Sequence, residues 1–571
     1  MQALNFSLRD KRLMEQSKKT SFVQGATILG IAGLFVKVIG AIFRIPLANI
    51  VGRDGMAYYE VAYPVYAGLL VISSAGLPTA ISKMVSERIA IGDIHGAKRV
   101  YTSAMKLLLI IGAATTILLF IFSGTIAKLC NAELAKFSFM ALSPALFFVS
   151  IMCAYRGYLQ GMQCMTGTAI SQVIEQVIKL AVGFSLAALL IKKYPERPEL
   201  AAMGALIGVS ISELVALIVI KLYYDARVKR GNLPVCTRGT VLAGSTESTS
   251  SITKKLLLIA VPITIGASIM PLTAIADGAL TLNILEAKHI AAGLDKAAAN
   301  SLARSSLAVL RSYVTPLINM PAVLTLALSM SLVPAISQAV TKRDKRTVHA
   351  ATDTGLKLAL FIGAPCAVGL FILGAPIMSM LFRDVRENAE IYLQAQKVMY
   401  FAATGVLFLS LVQTLTGVIQ GMGKPRIPVF FLAVGGAVKI ISMILLMKFT
   451  DLGVIGAAIS TVLCYAIAAI GDIFFVLHYT QMRISYVDTF FKPLFSSVLM
   501  GVVVHLVFNA LQKLGHPTVG TVLSIGIGVI VYLAAMILLR PFNASDLEFL
   551  PKSNVFARIF RVKMNSSASR R

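Results

Sequence analysis

Charged side chains inside long apolar stretches are the residues of this chain that could do chemistry. Lys37 and Arg44 lie two helical turns apart in the first such stretch, so a helix places them on one face. A charged group at the centre of a bilayer costs at least about 2.5–3.5 kcal/mol, so each one needs a reason. The bases that we place in apolar stretches are Lys37, Arg44, Lys106, Lys179, Lys357 and Lys439, and the acids are Glu60, Glu175, Glu213 and Asp277. This positive balance suits an anionic substrate, such as a pyrophosphate or a sugar acid, and suits a cationic drug poorly.

The acids differ in the partners that the sequence offers them. Glu175 and Lys179 stand at i and i+4, in the order that favours a local ion pair on a helix. Such a structural pair and a ligand-binding role are both open readings of these two residues. Asp277 has no local partner, so we expect it to balance a buried cation, bind a coupling ion or carry a proton.

Two segments of the chain recur later in the sequence. The first recurrence has an offset of 260 residues and matches Ser150, Gly157, Gln160, Gly161, Met162 and Lys179 to Ser410, Gly417, Gln420, Gly421, Met422 and Lys439. The second matches residues 77–82 to residues 332–337 at an offset of 255. Gly435 occupies the position of Glu175 in the second copy, so Lys439 has no local acid. A duplicated membrane bundle with internal charge predicts a transporter whose site lies between its halves.

Composition limits the fold to a helical membrane protein. Of the 571 residues, 57% are hydrophobic and 14% are charged, whereas a soluble protein carries about 25% charged residues. We therefore predict an all-α polytopic protein with about fourteen spans, arranged as two parallel six-helix repeats plus two C-terminal helices. The predicted spans are 22–46, 58–82, 101–127, 135–160, 166–191, 201–223, 256–284, 312–340, 352–381, 393–421, 427–448, 453–479, 491–512 and 517–539.

The spans divide the chain into six predicted segments. These are an N-terminal segment (1–21), a first six-helix half (22–224), a linker (225–255), a second six-helix half (256–480), two additional helices (481–540) and a basic tail (541–571). Lys and Arg are more numerous in the segments on the side of the N-terminus, which predicts that both termini are cytoplasmic.

Several classes of function lack their motifs. The polar, basic N-terminus does not resemble a cleavable signal peptide, and none of the six cysteines forms a CxxC pair. There is no P-loop and no HExxH motif, so we expect neither an enzyme, a metal site nor a resident cofactor. The net charge of +27 indicates basic loops that face anionic lipid rather than a nucleic-acid partner.

Short motifs along the chain resemble those of one family. The segment KVIGAIFRIP from Lys37 to Pro46, SAGLPTAISK from Ser74 to Lys83, PLINMP from Pro316 to Pro321 and QGMGKP from Gln420 to Pro425 carry the likeness. They resemble the stage V sporulation protein B group, which includes the Gram-positive, MurJ-like lipid II flippases of the MOP (MATE-like) exporter superfamily. The likeness covers roughly residues 22 to 540.

The resemblance implies a flippase for undecaprenyl-pyrophosphate-linked sugars, most often the peptidoglycan precursor lipid II, in the bacterial cytoplasmic membrane. In such flippases, basic residues of helices one, two and eight hold the pyrophosphate. Lys37, Arg44 and Lys83 match the first two helices by position, and Arg311 lies just before the eighth. The full set of residues expected to form the cationic cavity is Lys37, Arg44, Lys83, Arg311 and Lys439, and the set expected to balance charge or couple transport is Asp277, Glu60, Glu175 and Lys179.

The expected partners are the lipid-linked oligosaccharide, anionic membrane lipids and cell-wall synthesis enzymes. Na⁺, H⁺ or the membrane potential would drive the cycle. Flippases of teichoic-acid or exopolysaccharide precursors are alternatives. A MATE-type drug or cation exporter would favour twelve spans and an acidic cavity. A membrane glycosyltransferase or polymerase would need catalytic acids in an external loop, and only residues 286–311 offer such a loop. A scaffold for envelope synthesis is a further alternative.

Overall fold

This computed structural model describes residues 2–74, 76–229, 247–482 and 484–542. This part of the chain consists of helices joined by short turns. The side chains of residues 2–31, 34, 37, 41, 42, 331 and 334 lie outside this description. The described residues contain no strand, which confirms the all-α prediction. The helices are α1 (Gln2–Ser74), α2 (Gly76–Ala90), α3 (Ile94–Ile121), α4 (Ser123–Leu129), α5 (Lys136–Gly161), α6 (Thr166–Lys193), α7 (Pro198–Lys229), α8 (Thr249–Ala291), α9 (Lys296–Ala308), α10 (Thr315–Thr341), α11 (Lys345–Leu381), α12 (Arg383–Glu387), α13 (Ala389–Gly421), α14 (Arg426–Phe449), α15 (Val454–Thr480), α16 (Lys492–Lys513) and α17 (Pro517–Leu539).

Thirteen helical segments of the described residues are long and apolar enough to cross a membrane. One of them, Val38–Ala90, contains a break at Gly52, whose φ of 72° and ψ of 173° are not helical. Only glycine adopts this backbone conformation readily. Two of the predicted spans, 22–46 and 58–82, lie on the two sides of this break, which accounts for the difference between fourteen predicted and thirteen observed segments.

The chain forms two compact units. The first comprises residues 1–43 and 54–275, and the second comprises residues 44–53 and 276–571. The boundary near residue 275 falls within α8, whereas the sequence suggested halves that meet at the linker 225–255. Asp277, beyond this boundary, forms ion pairs with residues of the second unit, which is why the last part of α8 groups with it.

In the first unit, α5 packs on α2 through two glycines. A Cβ atom at Gly157 would lie 2.9 Å from Ile81 Cβ, and a Cβ atom at Gly161 would lie 2.7 Å from Val85 Cβ. Small residues at such crossings let two helix backbones approach closely. The apolar core around this crossing also includes residues of α3, among them Val100 and Leu108.

In the second unit, α13 packs on α10 through the equivalent glycines. Gly417 lies against Ser329, and a Cβ atom at Gly421 would lie 3.0 Å from Ile336 Cβ. Ile336 is the repeat counterpart of Ile81, yet it meets Gly421, the counterpart of Gly161, rather than Gly417. The two repeated segments therefore pack in a register that differs by one helical turn, about 6 Å along the axis, between the units.

The two additional helices, α16 and α17, belong to the second unit. Met500, Val504 and Tyr532 share an apolar cluster with Leu358 and Leu373 of α11. The Tyr532 hydroxyl donates a hydrogen bond to the Phe361 carbonyl oxygen at 2.9 Å. These contacts attach the two additional helices to the core of the second unit.

Candidate functional site

Asp277, Arg311 and Lys439 form the second-unit charge cluster. The Asp277 Oδ2 atom lies 3.2 Å from a terminal guanidinium nitrogen of Arg311 and 3.0 Å from Lys439 Nζ. The three side chains are only 10–11% exposed. Two buried bases thus meet at one carboxylate.

Three separate segments position this cluster. Asp277 lies in the last part of α8, and Lys439 lies near the middle of α14. Arg311 lies in a single π-helical turn, Val309–Val314, between α9 and α10. π-helical turns are rare within α-helical segments and occur often at functional sites. The sequence predicted that Asp277 balances a buried cation, and the structure provides two.

The donors of the cluster suit an anion. The Arg311 guanidinium has five N–H donors in a planar fork, which matches carboxylate and phosphate oxygens, and the Lys439 ammonium has three donors. Asp277 Oδ2 accepts from both bases, whereas Oδ1 has no hydrogen-bond partner among the described residues. With two cations of the chain at its carboxylate, Asp277 is poorly placed to hold a further cation in this arrangement.

Arg156, Glu175, Lys179 and Glu213 form the first-unit charge cluster. A terminal nitrogen of Arg156, on α5, lies 3.0 Å from Glu175 Oε2, on α6. Arg156 also donates to Ser171 Oγ, and Gln176 donates to Glu175 Oε1 at 3.2 Å. The buried Glu213, on α7, lies within electrostatic range of the other three charges. The cluster thus contains two bases and two acids.

The local pair between Glu175 and Lys179 that the sequence suggested does not form. Lys179 Nζ instead lies 5.4 Å from the ring centroid of Tyr63 and 5.7 Å from that of Phe43. The negative faces of aromatic rings attract a cation. Arg156 takes the carboxylate because its fork reaches Glu175 from the neighbouring helix, and Lys179 then turns to the rings.

The remaining predicted site residues are Lys37, Arg44, Glu60 and Lys83. Arg44 is half-buried in the second unit, and Glu60 is buried in the first. Lys83 lies in the first unit, is 59% exposed and is 3.9 Å from Glu87. It lines a cavity of about 270 Å³ with Arg88 and Lys255. The side chain of Lys37 lies outside the described residues.

Arg156 and Asp472 are among the charged residues of the predicted spans that the sequence analysis did not name. Arg156 lies in span 135–160, and Asp472 lies in span 453–479. Both have the signal that identified the other candidates, a charge inside an apolar run. Asp472 is fully buried, and neither of its carboxylate oxygens has a hydrogen-bond partner among the described residues.

A third group of charges lies outside the apolar helices, where Glu247 precedes α8. Its carboxylate pairs with Arg88 and Lys255. The hydrogen bond from Lys255 is the main reason that the pKa of Glu247 lies below its ordinary value. This group holds the start of α8 against the end of α2 within the first unit.

The apolar helices, the duplicated packing and the buried charges together define a multi-pass membrane protein of the transporter class. A family model described as "Polysaccharide biosynthesis protein" matches residues 22–340, more than half of the chain, and the chain belongs to this family. A second model, MatE, matches residues 294–445.

Curated relatives cover most of the chain. Lipid II flippase MurJ of Bacillus subtilis is 24% identical over 463 residues, which are 78% of this chain and 80% of that protein. Membrane protein YabM of the same organism is 27% identical over 558 residues, 94% and 96% of the two chains. Stage V sporulation protein B of the same organism is 25% identical over 446 residues, 78% and 81% of the two chains.

Solved structures share the fold. Lipid II flippase MurJ in an inward closed conformation superposes with a TM-score of 0.67 at 17% identity, over 90% of this chain and 99% of that one. An inward-facing multidrug MATE transporter of the MOP superfamily gives 0.60 at 17% identity, over 78% and 94%. The predicted resemblance to the group of MurJ-like flippases and Stage V sporulation protein B is confirmed by these relatives. The relatives that are named for an activity are flippases or transporters and not enzymes, as the sequence predicted.

Proposed function

We propose that this protein is a flippase that moves undecaprenyl-pyrophosphate-linked sugars across the bacterial cytoplasmic membrane by alternating access, with lipid II as the first candidate substrate. The similarity to Lipid II flippase MurJ and to Stage V sporulation protein B over 78% of the chain supports this proposal. Precursors of teichoic acid or exopolysaccharide are the alternative cargo of the same site. Anionic lipids and cell-wall synthesis enzymes are proposed partners.

The observation that carries the proposal is the meeting of two buried bases, Arg311 and Lys439, at one carboxylate in a membrane-spanning region. Charged side chains in such regions are costly and often mark substrate sites. A pyrophosphate would accept several charge-assisted hydrogen bonds from these bases. In this proposal Asp277 holds the two bases when substrate is absent, and Lys37, Arg44 and Lys83 add positive charge for the head group.

The test is a leaflet-protection assay with the purified full-length chain in liposomes that contain labelled lipid II. The fraction of lipid II that an external probe can reach is expected to rise above that of empty liposomes. Arg311→Met, Lys439→Met and the Lys37/Arg44 double alanine variant are expected to abolish the rise. Lys106→Met removes an exposed base from α3 and is the matched control that is expected to keep it.

A wild-type protein that moves neither lipid II nor another lipid-linked glycan would contradict the proposal. Movement that survives the loss of Arg311 and Lys439 would place the substrate site elsewhere. Both results are informative only for variants that remain folded, so each variant is checked for its unfolding temperature.

A MATE-type exporter of drugs or cations is the second candidate, because the MatE model matches residues 294–445 and MATE transporters share the fold. A cation site needs a free carboxylate, and the second-unit charge cluster has none to spare. Accumulation of a cationic dye in the same vesicles, without movement of lipid II, would favour this candidate.

The driving force belongs to the proposal as well. The membrane potential, Na⁺ or H⁺ would drive the cycle, and Asp277 was the residue that the sequence offered for coupling. Since two bases of the chain already occupy Asp277, a different carboxyl group is a better candidate for the coupling ion.

A further inference from the structure

Asp472 is a buried acid for which the described residues of the second unit offer no counterion. It lies on α15 with Ala468, Ala469 and Val476 on the same buried face. Its exposure is 0%, and neither carboxylate oxygen has a hydrogen-bond partner among the described residues. No described base lies within 4 Å of it, so it differs from Glu175 and Asp277, which form ion pairs.

The elements packed around α15 close this position. Phe431 of α14 lies against Gly471, where any Cβ atom would collide with its ring, so the ring covers the backbone next to Asp472. Leu411, Leu415 and Val418 of α13 belong to the same apolar cluster as Ala468 and Ala469. The titratable groups of the elements around α15 are His349, Asp353 and Lys357 on α11, Glu390, Tyr392, Lys397 and Tyr400 on α13, Lys424 just before α14, Arg426, Lys439 and Lys448 on α14, and Cys464, Tyr465, His478 and Tyr479 on α15.

Several of these groups have other contacts. The His349 Nε2 atom lies 2.8 Å from the Thr480 carbonyl oxygen, and Lys424 Nζ lies 5.4 Å from the Tyr479 ring. Lys357 pairs with Asp353 at 2.7 Å. The apolar environment of Asp472 favours the neutral carboxylic acid over the carboxylate, because a buried charge without a partner is very unfavourable.

A neutral acid without partners still destabilises the conformation that buries it, because an apolar side chain of the same shape would fit better. Its presence is explained if a second conformation gives the carboxyl group water or a cation. Asp472 stands eight residues before Thr480, so it lies about 12 Å along the helix axis from the end of α15. The aqueous phase at that end is the nearest source of a proton.

We propose that Asp472 is a proton-binding site whose occupancy is linked to the conformational cycle. A proton from the aqueous phase at the Thr480 end of α15 binds a carboxylate oxygen when the group becomes buried. The same O–H bond breaks and the proton returns to water when the carboxylate is hydrated again. The use of this proton to drive lipid movement rests on the proposed function, whereas the protonation itself does not.

The protonation is tested by infrared spectroscopy on the full-length protein in lipid vesicles at neutral pH. The carbonyl band of a protonated carboxylic acid is expected in the wild type and is expected to disappear in Asp472→Asn. Asp451→Asn is the matched control, because Asp451 is exposed and pairs with Lys288 at 3.2 Å, so its removal is expected to leave the band unchanged. An unchanged band in Asp472→Asn would overturn the proposal.

The coupling is tested by lipid II movement in vesicles with and without a pH gradient of one unit. One proton per cycle is expected to shift the distribution of lipid II between the leaflets by up to about tenfold in the wild type. Asp472→Asn is expected to lose this response, and Asp472→Glu, which keeps a titratable group, is expected to retain it. An equal response in the wild type and in Asp472→Asn would overturn the coupling.

The two tests separate this proposal from the proposed function. An infrared band that depends on Asp472, in a protein that moves no lipid-linked glycan, would contradict the flippase and leave the proton site supported. Lipid II movement without an Asp472-dependent band would support the flippase and contradict the proton site. If Asp472→Asn does not fold, the pH titration of the band in the wild type and in Asp472→Glu decides, since a carboxyl group that never ionises in the folded protein contradicts the cycle.

Discussion

Lys179 and Lys439 occupy equivalent positions in the two repeats, but their ammonium groups have different surroundings. Lys179 faces two aromatic rings in a cluster where Arg156 and Glu175 already form a pair. Lys439 shares a single carboxylate with Arg311. The first-unit charge cluster thus contains one acid for each base, whereas in the second-unit charge cluster two bases meet at one acid. Duplication preserved the lysine and changed what neutralises it.

The difference originates at the position that is Glu175 in the first copy and Gly435 in the second. A Cβ atom at Gly435 would lie 2.6 Å from the Cys464 carbonyl oxygen, so α14 and α15 approach too closely there for any side chain. The acid for Lys439 comes instead from α8, as Asp277. Because Asp277 also binds Arg311, two bases lie at one carboxylate in the second unit.

The largest expected effect that follows from this difference is that of Asp277→Asn. It leaves two buried bases without their carboxylate, and removal of one member of a buried ion pair typically costs about 3–5 kcal/mol. We expect a loss of this size in the free energy of unfolding in lipid bicelles. A loss below about 1 kcal/mol would mean that the two bases have another partner and that the comparison between units is wrong.

Glu175→Gln tests the first unit in the same way and is expected to cost less. Arg156 keeps its hydrogen bonds to Ser171, and Glu213 remains within range to balance a base. The loss of one hydrogen-bonded charge pair is expected to cost about 1.5–3 kcal/mol in the same unfolding measurement. A loss in the free energy of unfolding equal to or above that of Asp277→Asn would show that Glu213 does not compensate for the missing acid.

The aromatic contacts of Lys179 are expected to contribute less to the free energy of unfolding than the two carboxylates do. A double-mutant cycle of Lys179→Met and Tyr63→Leu is expected to give a coupling energy of about 0.5–2 kcal/mol, the range for a cation near an aromatic face. Additive effects of the two changes would show that the rings only pack against the lysine stem.

The smallest effect is expected at Glu247, outside the apolar helices. Its pKa is lowered mainly by the Lys255 hydrogen bond, so its ionised form stabilises the folded state above the unfolded pKa of about 4.3. We expect the difference in unfolding temperature between the wild type and Glu247→Gln to be present at pH 6 and to disappear as pH falls below about 4. The difference is also expected to shrink in high salt. A difference that persists at pH 3 would contradict the assignment to this ion pair.

The sequence predicted the helices of the fold well, because the length of an apolar run can be found from neighbouring residues alone. The spans, the two related copies and the glycine crossings could all be found in it. It could not predict that Ile336 packs on Gly421 while Ile81 packs on Gly157, because the register of two helices depends on the contacts along their whole length.

The candidate sites were predicted less completely for a related reason. Asp277 and Lys439 were identified as buried charges, but their contact joins residues far apart in the chain. The rule for i, i+4 pairs favoured Lys179 for Glu175, whereas Arg156 from another helix has the better geometry. Asp472 has no partner at all among the described residues, so only its position inside an apolar run could have revealed it.

The close contact at Gly435 also constrains the evolution of the second half. An acid introduced there would first require α14 and α15 to separate, because the Cys464 carbonyl oxygen occupies the space of its side chain. No single substitution can therefore convert the second copy into the arrangement of the first. Epistasis of this kind makes the dependence of Lys439 on Asp277 hard to reverse.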